Sequence, residues 1–78
     1  MSALDDLTRK LGLLNTAPKG AAQRWALETR ALMWEGNTPD QAAMIAAKEV
    51  FPSEFVPTRC RSDGPSMEAL VEAIEELQ

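Results

Sequence analysis

The sequence predicts an all-α domain of four short helices, and two observations carry that prediction. Apolar residues recur at three- and four-residue spacing in four separate segments. Each segment is bounded by a proline, a glycine or a helix-capping residue. The expected helices cover about 3–14, 19–35, 39–51 and 66–77, with an irregular connector over 52–65. No internal repeat or low-complexity tract divides the 78 residues, so 1–78 reads as a single small domain.

The first helix opens at Ser2, a cap, with Asp5 three residues later, close to a capping box and well placed for the helix dipole. Leu4, Leu7, Leu11 and Leu14 form a stripe expected to lie on the core. Gly12 weakens the end of this helix, and Asn15-Thr16-Ala17-Pro18 breaks it.

The second helix carries two apolar faces. A broad sector holds Ala21, Ala22, Trp25, Ala26, Leu32 and Met33, with Thr29 in its middle. A narrower strip holds Leu27, Ala31 and Trp34. Gln23 and Arg30 separate the two faces on one side, and Arg24, Glu28 and Glu35 separate them on the other. Such a helix is either the centre of the bundle or leaves one face open to a partner. Tryptophan is favoured at interface hot spots, which makes Trp34 and Leu27 the candidate patch.

Gly36-Asn37 ends that helix with residues that tolerate left-handed backbone. Thr38-Pro39-Asp40-Gln41 starts the next: Thr38 caps, Pro39 suits the first helical position, and Gln41 can reach back to the Thr38 amide. The third helix puts Ala42, Ala43, Ala46, Ala47, Val50 and Phe51 on one wide face, where the alanines let another helix approach closely. Ile45 sits apart, between Gln41, Lys48 and Glu49, and is expected to be partly exposed.

Pro52 stops the third helix. The connector PSEFVPTRCRSDGP is long for so small a domain, with Phe55 and Val56 expected to pin it to the core and Asp63-Gly64 to form a turn. Pro65 or Ser66 then opens the final helix. The expected core is Leu7, Leu11, Trp25, Leu32, Ala43, Ala46, Val50, Phe51, Leu70, Ile74 and Leu77.

Charge is unevenly spread. The whole chain carries −4, and the segment MEALVEAIEELQ accounts for all of it. Its helix places Met67, Leu70, Val71, Ile74 and Leu77 on one side, and Glu68, Glu72, Glu75 and Glu76 on the other. Glu75 and Glu76 fall in the last turn, where the helix dipole disfavours negative charge.

Several chemistries lack their residues. There is no histidine and one cysteine, Cys60, so neither an internal disulfide nor an ordinary zinc site can be assembled. No base stands ready to activate a nucleophile, no glycine-rich phosphate loop occurs, and the calcium-loop pattern is missing. Four glutamates on a helix surface do not form the cleft that paired-carboxylate catalysis requires. We therefore expect no enzyme, no cofactor and no metal. In Arg59-Cys60-Arg61 the flanking cations favour a lowered thiol pKa, against the plainer reading of a half-exposed loop cysteine without a role. A lone cysteine, no export signal and no stretch of about 20 apolar residues lead us to expect a soluble, cytoplasmic protein off the membrane.

The stretch Ala31-Leu32-Met33-Trp34-Glu35-Gly36-Asn37-Thr38-Pro39-Asp40-Gln41-Ala42-Ala43 resembles the first two helices of a helix-turn-helix domain. The resemblance implies DNA binding through a following recognition helix with polar or basic residues. The chain instead continues PSEFVPTRCRSDG, whose internal prolines oppose a regular helix, and the net charge is acidic. On that reading Arg24, Arg30, Arg59 and Arg61 are the phosphate contacts.

The first expectation for function is a non-enzymatic protein-interaction module or small regulator. It would bind a protein partner through Trp34, Leu27 and Ile45 and the acidic face of Glu68, Glu72, Glu75 and Glu76. The alternative is the helix-turn-helix-like DNA-binding regulator. A chain this short often gains stability from a second subunit, so a homodimer is also considered.

Overall fold

The four expected helices form. The computed structural model describes residues 2–61 and 63–77, so position 62 of the connector lies outside the described residues. Helix α1 spans Ala3–Leu11, α2 Lys19–Trp34, α3 Pro39–Val50 and α4 Met67–Glu75, with a single 3-10 turn at Pro57–Arg59. No strand occurs among the described residues.

Three helices begin on the side chains that their sequences nominate. Ser2 Oγ accepts from the Asp5 amide at 3.1 Å, Thr38 Oγ1 from the Gln41 amide at 3.2 Å, and Ser66 Oγ from the Ala69 amide at 3.1 Å. The return bond expected from the Gln41 side chain is absent from the hydrogen bonds of the described residues, and Gln41 is exposed.

Two helices end on glycine with the paired bonds of a Schellman motif. At Gly36 (φ 106°) the Gly36 amide donates to Met33 O and the Asn37 amide to Leu32 O. At Gly12 (φ 69°) the Gly12 amide donates to Arg9 O and the Leu13 amide to Thr8 O. This second cap corrects the expectation for the first helix, which ends at Leu11 rather than Leu14. Once Gly12 turns the chain, the helical register is lost. Leu13 takes the buried place and Leu14 stands 63% exposed. The segment after it is tied down locally. Thr8 Oγ1 donates to Leu4 O and accepts from the Ala17 amide, which buries Ala17.

Helix α2 is the centre of the bundle, packing most extensively on α3, next on α4, and also on α1. Its broad apolar sector does this work. Ala22, Trp25, Ala26 and Thr29 are fully buried. The Trp25 indole Nε1–H donates to Ala43 O at 3.0 Å, and the Thr29 hydroxyl donates to Trp25 O at 2.7 Å, so neither polar group is stranded. Opposite them Ala42, Ala43, Ala46 and Ala47 are also fully buried, and their small side chains allow the close approach. Helix α4 closes the core with Met67, Leu70, Val71 and Ile74. Leu32, Val50 and Leu77, expected in the core, pack at its margin and are half-buried. The Cα radius of gyration is 10.8 Å, slightly below the roughly 11.5 Å expected of a compact chain this long.

The connector is held, though it has little regular structure. Phe55 is buried, whereas Val56 is only half-buried and Cys60 does the packing expected of it. Beyond the 3-10 turn the chain lies against the C-terminal end of α1. The Arg61 amide donates to Lys10 O at 2.9 Å, and the Lys10 ammonium donates to Asp63 O at 3.0 Å. That contact buries Lys10 to 7% exposure, a burial that nothing in its sequence neighbourhood announces. At the other end of the connector, Glu54 Oε1 accepts from the Asn15 amide.

Candidate functional site

The narrower apolar strip of α2 is left uncovered. Leu27 and Trp34 are 68% and 83% exposed, and Ala31 between them is exposed as well. Spaced four and then three residues apart, they form one continuous face about 10 Å long. The two readings of α2 thus hold together: it is central through one face and open through the other. Ile45 on α3 is 40% exposed but lines neither of the hollows beside this strip.

The hollow on the α3 side has Leu27, Ala31 and Leu32 as its apolar floor and Glu28, Glu35 and Glu49 around it. Glu28 comes from α2 and Glu49 from α3, and both line the junction. Their proximity holds the Glu49 carboxyl above the ordinary carboxylate range, through hydrogen bonding with and repulsion from Glu28, with Arg24 acting the other way. No cation lies within 4 Å of either carboxylate among the described residues.

The hollow on the α4 side is lined by Arg30, Met33, Trp34, Asn37, Pro39 and Glu68. It brings Trp34 beside the acidic helix. The four glutamates Glu68, Glu72, Glu75 and Glu76 are all exposed, as expected. One of them is not free. Glu75 accepts three hydrogen bonds from the Arg30 guanidinium, Nη2 to Oε1 at 2.6 Å and a forked pair from Nε to Oε2 at 2.9 Å and Oε1 at 3.1 Å. The pairing lowers the Glu75 carboxyl below its usual range and raises the Arg30 guanidinium, to which Glu72 and Glu68 add smaller coulombic effects. Sequence reasoning placed Arg30 and Glu75 in rival sites; in the fold they bind each other.

The remaining candidates are scattered. Arg24 is exposed on α2. Arg59 and Arg61 lie on the connector beside α1, and Arg61 Nε pairs with Asp63 Oδ1 at 3.2 Å. The Cys60 thiol is pushed up by burial, and the cation that opposes this is Lys10 rather than either flanking arginine. The lowered thiol pKa suggested by Arg-Cys-Arg is therefore overturned, because neighbours in sequence are not the neighbours in space. Where the helix-turn-helix resemblance calls for a recognition helix, the described residues hold only the 3-10 turn Pro57–Arg59.

Among the described residues no helix is long and apolar enough to cross a membrane. Among the described residues no group of three or more side chains is arranged to hold a metal ion. Comparison of the chain with protein-family models, with curated proteins and with solved structures returned no match.

Proposed function

We propose that this protein is a non-enzymatic interaction module, a small cytoplasmic regulator that captures a protein partner on the exposed face of α2 and the adjoining acidic face of α4. One contrast carries the reading. Trp25 and Trp34 stand on the same helix, yet Trp25 is fully buried with its indole N–H bonded and Trp34 is 83% exposed. A partner that covered Trp34 would bury most of a side chain worth about 150–250 Å2. At about 25 cal/mol per Å2 that is roughly 3–5 kcal/mol before the costs of association, the scale of a hot spot. Leu27 extends the apolar area, and Glu68, which shares a hollow with Trp34, would with the other glutamates of α4 steer and select the partner.

The test is capture from native extract with identification of what binds. Trp34→Ala should leave the fold and melting temperature essentially unchanged while abolishing capture. Trp25→Ala should destabilise by about 3–5 kcal/mol, as truncation of a buried tryptophan does. A Trp34→Ala variant that melts like Trp25→Ala, or that captures the same partners, would end this reading.

The DNA-binding alternative rests on the α2–α3 hairpin, whose glycine-ended first helix and Thr38-capped second helix have the expected local form. Against it stand the absent recognition helix and the engagement of Arg30 and Arg61 by carboxylates. Titration with a nonspecific duplex at low salt decides: a DNA-binding protein gives binding with a steep salt dependence, and the absence of binding removes this alternative.

A further inference from the structure

The rims of the open strip say what kind of partner fits it. Leu27, Ala31 and Trp34 run along α2 with glutamates on both sides. On the α3 side stand Glu28, Glu35 and Glu49, three carboxylates against the single cation Arg24 of α2 on the same side. On the α4 side stand Arg30 and Glu68, with Glu72 and Glu75 further along α4; Arg30 is paired with Glu75, while Glu68 and Glu72 act on it only at longer range. A helix packs at about 8–10 Å from its neighbour and is about 10–12 Å wide with side chains, so one helix laid along the strip reaches both rims. From these features we infer that the strip is the seat of a basic amphipathic helix, with apolar anchors over Leu27 and Trp34 and lysines or arginines facing the two glutamate rims. The inference rests on the interaction-module reading and specifies its partner.

Two further observations favour this occupant. Glu28 and Glu49 border the same hollow with no cation within 4 Å of either carboxylate among the described residues, which leaves both as acceptors for a partner's lysine or arginine. A second copy of this chain is a poor fit by the same electrostatics. Pairing two α2 strips antiparallel sets each rim against its own copy, and pairing them parallel sets one acidic rim against the other. Either arrangement brings glutamates together across the contact.

The experiment titrates the full chain with three synthetic peptides of equal length. These are a leucine–lysine amphipathic helix, its leucine–glutamate counterpart, and a scrambled leucine–lysine sequence without an apolar face. Binding is read by anisotropy of the labelled peptide and by tryptophan emission, since Trp34 is exposed and Trp25 already buried. The expected result is binding of the first peptide only, with a blue shift that Trp34→Ala removes. Trp34→Ala should weaken binding by about 30-fold, and Glu28→Gln combined with Glu49→Gln by about tenfold.

Equal binding of the leucine–glutamate peptide overturns the charge-selective partner while leaving an interaction surface in place. Equal binding of the scrambled peptide reduces the contact to bulk charge and overturns the seat. If no peptide binds and the protein sediments as a dimer that Trp34→Ala dissociates, the occupant is a second copy and the inference is wrong. If no peptide binds and the protein is a monomer, the inference fails. The underlying reading fails with it only when Trp34→Ala also leaves native capture intact.

Discussion

The contact between the connector and the end of α1 can be tested at one atom. Gly12 has φ 69°, and a Cβ built on it would lie 2.4 Å from Arg59 Cβ and 2.7 Å from Arg59 O. Alanine at this position meets two penalties. The left-handed backbone costs an L-residue roughly 1–2 kcal/mol. Relief of the overlap requires the connector backbone to move, which breaks the bond from the Arg61 amide to Lys10 O and disturbs the bond from Lys10 to Asp63 O. Each such bond contributes about 0.5–1.5 kcal/mol. Gly12→Ala should therefore lose about 2–4 kcal/mol, a large part of the roughly 4–12 kcal/mol expected for a domain of this size. At about 4–8 °C per kcal/mol, the melting temperature falls by roughly 8–32 °C.

Gly36→Ala is the control. Gly36 also caps a helix at positive φ, but nothing lies within 4 Å of its Cβ direction. It should lose only the backbone strain, even though its φ of 106° suits alanine less well. Urea and thermal unfolding followed by far-UV circular dichroism measure both variants. Adding Arg59→Gly to Gly12→Ala should recover part of the loss, because the nearest clashing atom is the Arg59 Cβ, and the non-additivity measures the contact. If Gly12→Ala costs no more than Gly36→Ala, the connector is not docked as described and the burial of Lys10 loses its explanation.

Three other outcomes follow from the charges. The Glu49 carboxyl titrates above its ordinary value of 4.5 in the fold, so its ionisation opposes folding, and its favourable contribution is lost as pH rises through the folded pKa. Glu49→Gln should then gain stability relative to wild type as pH climbs from about 4.5 towards neutral, measured as the difference in melting temperature across that range. Glu75 is opposite in sign: its carboxyl is lowered from 4.5, so the advantage of wild type over Glu75→Gln should be present at pH 7 and fade as pH falls below about 4.5. High salt should shrink the same advantage, since the pair is exposed. Finally, burial raises the Cys60 thiol, so alkylation at neutral pH should be slower than that of an unstructured cysteine peptide, and unfolding in urea should abolish the difference.

Much of the fold was legible in the sequence because its signals are local. A Ser or Thr followed three residues later by an amide it can cap, and a glycine in a left-handed position, involve only the next few residues. The helices accordingly begin at Ser2 and Thr38 as read, the choice left between Pro65 and Ser66 falls to the Ser66 cap, and α2 ends at Gly36. Periodicity likewise identified Trp25, Leu7, Leu11, Ala43, Ala46, Leu70 and Ile74 as buried. Leu13 and Leu14 show the limit. One turn of backbone at Gly12 exchanged their places, and helical spacing has no meaning past that turn.

By itself, then, the chain dictated four amphipathic helices, their caps, two apolar faces on the second and one acidic face on the last, since each depends on residues within a turn or two of one another. Tertiary structure alone decided which face of α2 is covered, because that depends on where α3 and α4 come to lie. It also decided the partners that sequence distance conceals. Arg30 meets Glu75 45 residues away, Lys10 is sealed in by Asp63 53 residues away, and Glu28 faces Glu49 across the α2–α3 junction. Charge acts through space, so only the folded chain shows which of its glutamates are answered and which stand open around Leu27 and Trp34.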